Sequence, residues 1–412
     1  MSLACKLKNM RTKVKLIRDA TLGLLSYLFR IFPLQNKVVG IAVAGRRYAD
    51  NPKYVMEELL HRKTAAKLCW IQSPNCEMIV PKKIRLVNKL NLLGYIYCYA
   101  TAKVLITTTG FPMFIRKRKG QIVINTWHGG LGIKKIGYDN NKEIRHDEKL
   151  FYMLFNNKLA DVFISNSNHL SQLYRESFKY QGPIWKCGYP KNDALLSKSK
   201  RAEAAERIRK QLKIPPSMRI LIYAPTYRAK DTGIGVDTTM SYYDIDYARL
   251  YESLKRRFGG EWCILQKFHP NMQGSVLGNV EEESYYKDVT SYHNMQDLIM
   301  ASDALISDYS SCMFDAALAG LHTFIYANDF DEYKRNRGVY YELEDLPFPY
   351  ASNNDELVAN IENYDCKIAK SKWDSFCTRT GLVETGHAAK DIAAKILEHL
   401  NGKPVIWENT DI

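Results

Sequence analysis

The sequence predicts an α/β protein with two domains, each built on a parallel β-sheet with helices on both faces. Three observations support this prediction. The chain has 412 residues, whereas an ordinary domain has roughly 150. Hydrophobic residues make up 46% and charged residues 25%, as in folded globular proteins. Short apolar runs alternate with segments of helical periodicity, which is the pattern of strands joined by crossover helices.

The first domain begins with the apolar run KVVGIAVAG at Lys37, which predicts a buried strand. NPKYVMEELLHR follows with helical spacing and has a proline near its start, where a helix tolerates one. Further strands are predicted in KLCWIQ, KVLITTT, QIVINTWH and DVFISNS, with helices in NKLNLLGYIYCYATA and NHLSQLYRESFKY.

The alternation is interrupted by the charged segment 197–218, which has helical character and ends in Pro215-Pro216. Such a segment is typical of a hinge or domain boundary. Beyond it, strands are predicted in RILIYAPTYR, EWCILQKFHP, ALISDYSS and HTFIYAND, with helices in YARLYESLKRRF, MQDLIMASD, CMFDAALAG and much of 355–400. Residues 1–36 are predicted to form a basic amphipathic segment, and residues 37–205 and 206–385 two Rossmann-like domains. Residues 386–412 are predicted to form a C-terminal helix and tail that pack on the first domain.

The net charge is +15, from 59 Lys and Arg against 44 Asp and Glu. This excess favours anionic partners, namely nucleic acid, acidic lipid or phosphorylated small molecules. Nucleic acid is disfavoured because the sequence has no RNP-type aromatic strand, zinc finger or basic helix-turn-helix. Nine widely spaced cysteines without a CxxC pair predict reduced, mostly buried thiols in the cytosol.

The N-terminal segment predicts contact with a membrane surface. Six basic residues precede the first acid, and an apolar run of 15 residues, 20–34, follows. The run is shorter than the roughly 20 residues of a spanning helix. Apolar residues recur at three- or four-residue steps within 7–17 and 22–28, as in a helix lying among anionic headgroups. Two alternatives are a signal peptide, although no convincing cleavage site follows, and a helix packed on the protein's own core.

Five polar clusters carry residues suited to ligand binding, and four of them follow predicted strands. TWHGGLGIKKIGYD combines glycines, which permit close approach of a ligand, with His128 as a general base and Lys134 and Lys135 as phosphate ligands. GYPKND contains Lys191, although its composition equally fits a plain turn. In parallel α/β sheets, ligands bind beyond the carboxyl ends of the strands.

The other three clusters lie in the second half. APTYR offers Thr226 and Arg228 to phosphate or ribose, and KFHP places a cation beside a second imidazole. SDYSSCMFD puts two serines at a helix start, where an anion can bind. It also places an aspartate one turn later, which could accept a hydrogen bond from a ribose or polyol hydroxyl. Capping and turn roles are the alternatives for these residues. With two such domains, the cleft between them is the expected ligand site.

Several classes of site are disfavoured. The sequence has no GxxxxGK[ST] loop, and no GxGxxG follows the first strand, which argues against a Rossmann dehydrogenase. No acidic pair lies beside the polar loops, and Asp329 and Asp331 come nearest without a histidine close in sequence. We therefore expect neither a metal nor a cofactor.

The motifs WHGGLGIKKIG, SNSNHLSQLYRESF, GYPKNDAL, YAPTYR, KFHP and SDYSSCMFDAALAG, in that order, resemble the CDP-glycerol:glycerophosphotransferases of teichoic acid and capsule synthesis. GRRYADNPKYVMEEL resembles the first strand and helix of that family, so the likeness covers residues 37–400. The resemblance implies a GT-B fold, a CDP-polyol donor, catalysis without an essential metal, and peripheral attachment to the cytoplasmic face of the cell membrane.

By the same resemblance, His128 is the base for the acceptor hydroxyl, and His269 is a second catalytic histidine near the donor phosphates. The acceptor hydroxyl attacks the β-phosphorus of the donor, and CMP leaves. Two departures from the family pattern affect donor and acceptor choice: Gly130-Leu131-Gly132 replaces a Thr-Pro pair, and Lys191 stands where arginine is usual. The expected donor-binding residues are Gly129, Lys134, Lys191, Pro225, Thr226, Arg228, Lys267, Ser310, Ser311 and Asp315.

Several functional alternatives stay open at this stage. Glycerol phosphate is the favoured group, but ribitol phosphate from CDP-ribitol is an alternative. A GT-B glycosyltransferase using a nucleotide-sugar and a non-enzymatic membrane scaffold are the others. The acceptor is expected to be a lipid-linked saccharide or a polyol-phosphate chain, extended by one unit or by many. A homo-oligomer is also compatible with the sequence.

Overall fold

The computed structural model describes residues 17–42, 45–140, 148–228, 240–268 and 285–407. The chain divides into two compact units. The first comprises Met1–His128, Ile136–Lys191 and Val383–Ile412, and the second comprises Gly129–Lys135 and Asn192–Leu382. The main division thus falls at 191/192, before the charged segment that the sequence analysis takes as the hinge.

The first unit contains a seven-stranded sheet in the order β3-β2-β1-β4-β5-β6-β7, and every neighbouring pair is parallel. Its strands are β1 (Gln35–Ile41), β2 (Lys67–Gln72), β3 (Ile84–Asn88), β4 (Ala102–Thr107), β5 (Ile122–Asn125), β6 (Val162–Ser165) and β7 (Ile184–Lys186). Its helices are α1 (17–28), α2 (Asp50–His61), α3 (Leu92–Thr101), α4 (Glu148–Leu159), α5 (Asn168–Glu176) and α13 (Ala388–Leu400).

Successive apolar residues of these strands feed two separate cores, one on each face of the sheet. Val38 packs in a cluster with helices α2 and α13, whereas Val39 packs in another with α3. Val104 and Leu105 divide between the two clusters in the same way. Because side chains alternate along a strand, a sheet covered on both faces needs continuous apolar runs, and these strands have them.

The second unit contains a six-stranded parallel sheet in the order β10-β9-β8-β11-β12-β13. Its strands are β8 (Arg219–Ala224), β9 (Trp262–Gln266), β10 (Tyr286–Asp288), β11 (Ala304–Ser307), β12 (His322–Tyr326) and β13 (Tyr350–Ala351). Its helices are α6 (Lys198–Leu212), α7 (Tyr247–Phe258), α8 (Met295–Ala301), α9 (Cys312–Leu318), α10 (Phe330–Arg337), α11 (Asn354–Glu362) and α12 (Cys366–Thr380).

Both sheets have the strand order of a Rossmann fold. Successive strands are added on one side of the first strand and then, once, on its other side, and we call this switch the reversal point. The reversal lies between β1 and β4 in the first unit and between β8 and β11 in the second. In such sheets the crevice outside the carboxyl ends of the strands, at the reversal, is the preferred ligand position. The charged segment beyond residue 197 forms α6, whose Ala204 and Ile208 are buried in the core of the second unit.

Helix α1 packs on the protein's own core and leaves apolar residues exposed on its other side. Leu22 is buried in the first unit's core, where Leu25 and Phe29 also pack. Its other side exposes Leu24 and Leu28, at 70% and 65% of their surface. Within the described ranges, no helix is long and apolar enough to cross a membrane. The basic residues ahead of α1 lie outside the described residues.

Candidate functional site

The reversal point of the second sheet brings two predicted motifs together. Ala224 at the end of β8 is in register with Ser307 at the end of β11. The loops APTYR and SDYSS therefore leave the sheet side by side. The backbone N–H of Thr226 donates to both carboxylate oxygens of Asp308, at 2.8 and 3.0 Å, so the first loop is held directly on the second.

Arg228 completes this junction. Its Nε and Nη2 donate to the two oxygens of Asp329 at 2.6 and 2.8 Å, and its Nη1 donates to Asp308 at 2.9 Å. The side chain is only 8% exposed. Burial by itself lowers the pKa of Arg228, but Asp308 and Asp329 more than reverse this effect and raise it. The N–H groups of Arg228, which were expected to bind ligand phosphate, thus donate to protein carboxylates. The role of Arg228 is therefore to order the loop.

The side chain of Thr226 differs from that of Arg228 in its hydrogen bonding. It is 9% exposed, and its hydroxyl oxygen is buried without a hydrogen-bond partner in the described part of the chain. Pro225 beside it is also buried. Leaving a buried hydroxyl unpaired costs about 1–3 kcal/mol. A ligand oxygen at the end of β8 would remove that cost.

The serines and the aspartate of SDYSSCMFD lie at the start of α9. The Ser310 hydroxyl accepts from the backbone N–H of Cys312 at 3.4 Å. Ser311 is the residue before the helix, and its side chain makes no capping hydrogen bond. Asp315 is buried and accepts from Nε2 of Gln296 at 2.9 Å. Gln296, on α8, therefore joins this cluster without having been predicted.

The segment Gly129–Lys135 packs within the second unit. Leu131 and Ile133 are buried in that unit's core, and Lys134 forms an antiparallel bridge with Val339. Leu131, one of the residues that replace the usual Thr-Pro pair, is thus a core residue. Gly129 begins this segment.

The Lys134 ammonium makes no hydrogen bond or ion pair with any residue that the structure describes. Burial lowers its pKa to about 8; the carboxylate of Asp308 opposes this shift, and Arg337 and Arg228 add to it. A desolvated cation next to other cations is an arrangement that an anion would stabilise.

Lys267 lies at the carboxyl end of β9 and serves the loop that follows. It is 9% exposed, and its ammonium donates to the carbonyl of Thr290 at 2.8 Å. The backbone N–H of Phe268 donates to the Thr290 hydroxyl at 3.2 Å. His269, the second predicted catalytic histidine, lies outside the described residues.

In the first unit, His128 follows β5 on a strained turn. Trp127 adopts a positive φ of 50°, which costs a non-glycine residue on the order of 1–3 kcal/mol and is common at functional sites. The Trp127 and His128 rings lie 4.1 Å apart between centroids, and Trp127 packs edge-on against Phe178 at 4.7 Å. His128 is exposed, and a catalytic base must be exposed to reach its substrate.

Asn51 ties this turn to the GYPKND loop. Its Nδ2 donates to the carbonyls of Thr126 and Trp127 at 3.1 and 3.2 Å. Its Oδ1 accepts from the backbone N–H of Lys191 at 3.1 Å. Asn51 is fully buried at the start of α2. The sequence around Asn51 predicts only the start of a helix, so this bridging role was not predicted.

The Lys191 loop is held a second time by the C-terminal part of the chain. Glu384 accepts from the backbone N–H of Tyr189 at 2.9 Å and from Nδ2 of Asn166 at 2.8 Å. Gly188 has a φ of +87°, and a Cβ there would lie 2.9 Å from Glu384, so the motif requires glycine. The Lys191 side chain is 6% exposed, with its ammonium 6.0 Å from the Tyr189 ring centroid.

The two Rossmann-type sheets define the chain as an α/β protein of GT-B type. Desolvated polar groups lie at the reversal point of the second sheet, where such sheets bind ligands, and a strained turn follows β5 of the first. The chain belongs to the CDP-glycerol:poly(glycerophosphate) glycerophosphotransferase family, whose model matches residues 25–398. This confirms the family indicated by the ordered motifs. The comparison with a solved wall teichoic acid polymerase, TagF, confirms the fold: the TM-score is 0.81 at 25% identity, covering 98% of this chain and 99% of the other.

Curated relatives of the chain are named as polymerases and transferases of teichoic acid. The teichoic acid poly(glycerol phosphate) polymerase of Staphylococcus epidermidis is 29% identical over 86% of this chain. The teichoic acid glycerol-phosphate transferase of Staphylococcus aureus is 28% identical over 89% of this chain and 94% of its own length. The chain spans about half the length of the S. epidermidis protein, 49%. It spans the whole of the teichoic acid poly(glycerol phosphate) polymerase of Bacillus spizizenii, at 26% identity.

Proposed function

We propose that this protein transfers glycerol phosphate from CDP-glycerol to a hydroxyl of a polyol-phosphate acceptor and releases CMP. The observation that carries the proposal is the reversal point of the second sheet in a chain of this family. There, the Thr226 hydroxyl and the Lys134 ammonium are buried or desolvated and lack hydrogen-bond partners in the described ranges. A solved structure of a TagF variant soaked with CDPG is 25% identical to this chain, with a TM-score of 0.79.

The diphosphate of the donor supplies what these two groups lack. Its oxygens can accept from the Thr226 hydroxyl and from the Lys134 ammonium. Hydrogen bonds to charged groups contribute about 1.5–3 kcal/mol each. Arg228 acts indirectly, because its ion pairs with Asp308 and Asp329 fix the backbone that carries Thr226. Ser310, Ser311 and Asp315 are proposed to complete donor binding from the start of α9, and Gly129, Lys191, Pro225 and Lys267 from the neighbouring strand-end loops.

The reaction we propose is an in-line displacement at phosphorus. The acceptor oxygen forms a bond to the β-phosphorus, and the bond from that phosphorus to the CMP oxygen breaks, so CMP leaves with the electron pair. The acceptor proton passes to the His128 imidazole, for which general-base catalysis contributes typically about 10²–10⁴-fold. Lys134 offsets negative charge on the diphosphate, a role that positioned cations and dipoles fill in phosphoryl transfer. His269 is proposed as a second catalytic histidine on the strength of its motif.

The test is CMP release from purified protein, CDP-glycerol and a short oligo(glycerol phosphate) acceptor. His128→Gln should lower kcat by about 100-fold or more with an unchanged melting temperature. His61→Gln is a matched control, because His61 is an exposed histidine of the same unit at the end of α2. Near-normal CMP release by His128→Gln would exclude His128 as the base.

Ribitol phosphate is a second candidate group, because the relatives include a teichoic acid poly(ribitol-phosphate) polymerase of Bacillus spizizenii at 25% identity. Thermal stabilisation by CDP-glycerol, CDP-ribitol and UDP-sugars, followed by measurement of CMP or UDP release, separates the candidates. Preference for CDP-ribitol would change the donor but not the reaction. Release of UDP from a UDP-sugar would replace the proposal with a glycosyltransferase.

We also propose that α1 attaches the protein peripherally to the cytoplasmic face of an anionic membrane that carries a lipid-linked acceptor. Leu24, Leu28 and the following Ile31 are 70%, 65% and 81% exposed. Each such side chain contributes roughly 1.5 kcal/mol or more, about tenfold in binding, when it enters an apolar environment. The triple serine variant should lose flotation with phosphatidylglycerol vesicles. Ile368→Ser, at a residue 59% exposed on α12, should keep it; flotation by the triple variant would refute the assignment.

A further inference from the structure

A cluster of basic side chains lies at the carboxyl edge of the first sheet, on strands that the donor set does not use. Arg46 and Arg47 follow β1, and Lys89 follows β3. Ser73, which follows β2, accepts a hydrogen bond from the Lys89 ammonium at 3.1 Å. We call Arg46, Arg47 and Lys89 the basic cluster.

Backbone hydrogen bonds hold the three loops of the cluster together. The N–H of Ser73 donates to the carbonyl of Gly45 at 2.7 Å, and the N–H of Lys89 donates to the carbonyl of Gln72 at 2.9 Å. Gly45 has a φ of +82°, and a Cβ there would lie 3.1 Å from the carbonyl of Ile71. The turn before Arg46 therefore requires glycine, and the cluster is built on ordered backbone.

The two arginines of the cluster differ from other basic residues nearby in their pairing within the described ranges. Lys53 and Arg62, on the adjacent α2, each pair with a glutamate. Arg46 and Arg47 form no ion pair or hydrogen bond within the described ranges. Burial, followed by repulsion from Arg46, lowers the pKa of both Arg47 and Lys89. Like charges brought together on a fixed backbone weaken the fold unless an anion joins them.

We propose that the basic cluster binds a phosphate group of the acceptor, and this inference rests on the proposed function. The first unit also carries His128, which follows β5 and so lies at the same carboxyl edge of this sheet as the cluster. Strands lie roughly 4.8 Å apart, so β1 is about 10 Å and β3 about 19 Å from β5. The cluster thus holds a phosphate remote from the reacting hydroxyl. That phosphate belongs to a polyol-phosphate chain or to the diphosphate of a lipid carrier, which share the same chemistry.

The kinetic test uses the full chain and the double variant Arg46→Gln/Arg47→Gln. Each charged hydrogen bond lost should raise the acceptor KM by about tenfold or more at low salt, while the KM for CDP-glycerol stays unchanged. Lys82→Gln/Lys83→Gln is the matched control: it removes the same charge from two exposed lysines just before β3, at the opposite edge of the sheet. An unchanged acceptor KM, or equal rises for donor and acceptor, would overturn the inference.

A binding test needs no turnover. Cys76 lies within electrostatic range of Arg47 and Lys89, so an anion on the cluster should slow its alkylation. Cys366 is exposed on α12 and serves as the internal control. The probes are a lipid-free oligo(glycerol phosphate) and a short-chain prenyl diphosphate in detergent. Protection by either probe that disappears in Arg46→Gln/Arg47→Gln supports the cluster and identifies the source of the phosphate.

The two tests separate this inference from the proposed function. If the parent protein releases no CMP but either probe protects Cys76 through the arginines, the proposed function fails and the phosphate site stands. If CMP is released, yet neither probe protects Cys76 and the acceptor KM does not move, the phosphate site fails alone. The double variant should melt no lower than the parent, because it relieves repulsion. Unfolding of that variant would mean that the arginines are structural and would overturn the assignment.

Discussion

Replacing Thr226 by valine should stabilise the unliganded protein and weaken donor binding. The two side chains have nearly the same shape, so the substitution exchanges a hydroxyl for a methyl group. The Thr226 hydroxyl is buried without a partner in the described residues, and its desolvation costs about 1–3 kcal/mol. Valine removes that cost. The melting temperature should rise by about 2–4 °C for each kcal/mol gained, as expected for a domain of 150–250 residues.

The binding change has the opposite sign. A hydrogen bond from Thr226 to a charged diphosphate oxygen contributes about 1.5–3 kcal/mol, so its loss should raise the Kd for CDP-glycerol by roughly 10- to 100-fold. Calorimetric melting with and without CDP-glycerol measures both effects, since the ligand-induced shift follows the Kd. The valine variant should melt higher alone and shift less with ligand.

Two further variants control this experiment. Thr323→Val removes a buried hydroxyl that donates to the carbonyl of Leu321 at 3.2 Å, so it should lose about 1 kcal/mol of stability. Thr226→Ser keeps the hydroxyl and should keep donor affinity. If Thr226→Val melts below the parent and binds CDP-glycerol normally, the hydroxyl has a protein partner and the argument for a ligand role fails.

Three other predictions concern neighbouring parts of the site. Asn51→Ala removes the hydrogen bonds that hold the His128 turn; we expect kcat to fall about 10- to 100-fold, by steady-state kinetics. Burial lowers the pKa of Lys134 to about 8, so unliganded stability should rise with pH from about 8 towards 10.5, where the unfolded lysine still binds a proton. CDP-glycerol affinity, measured calorimetrically, should be constant below about pH 8 and fall above it, and Lys134→Met should weaken binding and abolish this dependence. Asp329→Asn breaks a buried ion pair with Arg228 and should cost about 3–5 kcal/mol in urea unfolding, whereas the exposed Asp331→Asn should cost little; equal costs would contradict the buried pairing.

The strands that the sequence predicts and those that it misses differ in their position in the sheet. All the interior strands, such as β1, β4, β8 and β11, are predicted from continuous apolar runs. The four that are not predicted, β3, β7, β10 and β13, are the edge strands of the two sheets. An edge strand pairs on one side only and is partly exposed, so it need not be continuously apolar. The pattern in β3, where buried and exposed residues alternate irregularly, shows this directly.

The sequence by itself determined the two α/β units, the family and the positions of the polar residues just beyond strand ends. These features are local, because a strand and the loop that follows it are neighbours in the chain. Which group meets which was decided only by the tertiary structure. The parallel order of the strands places Thr226 on Asp308, turns Arg228 towards Asp329, and joins Asn51 to the turn before His128. Partners so distant in sequence leave no periodic pattern, and crossover connections bring them together only when the sheet forms.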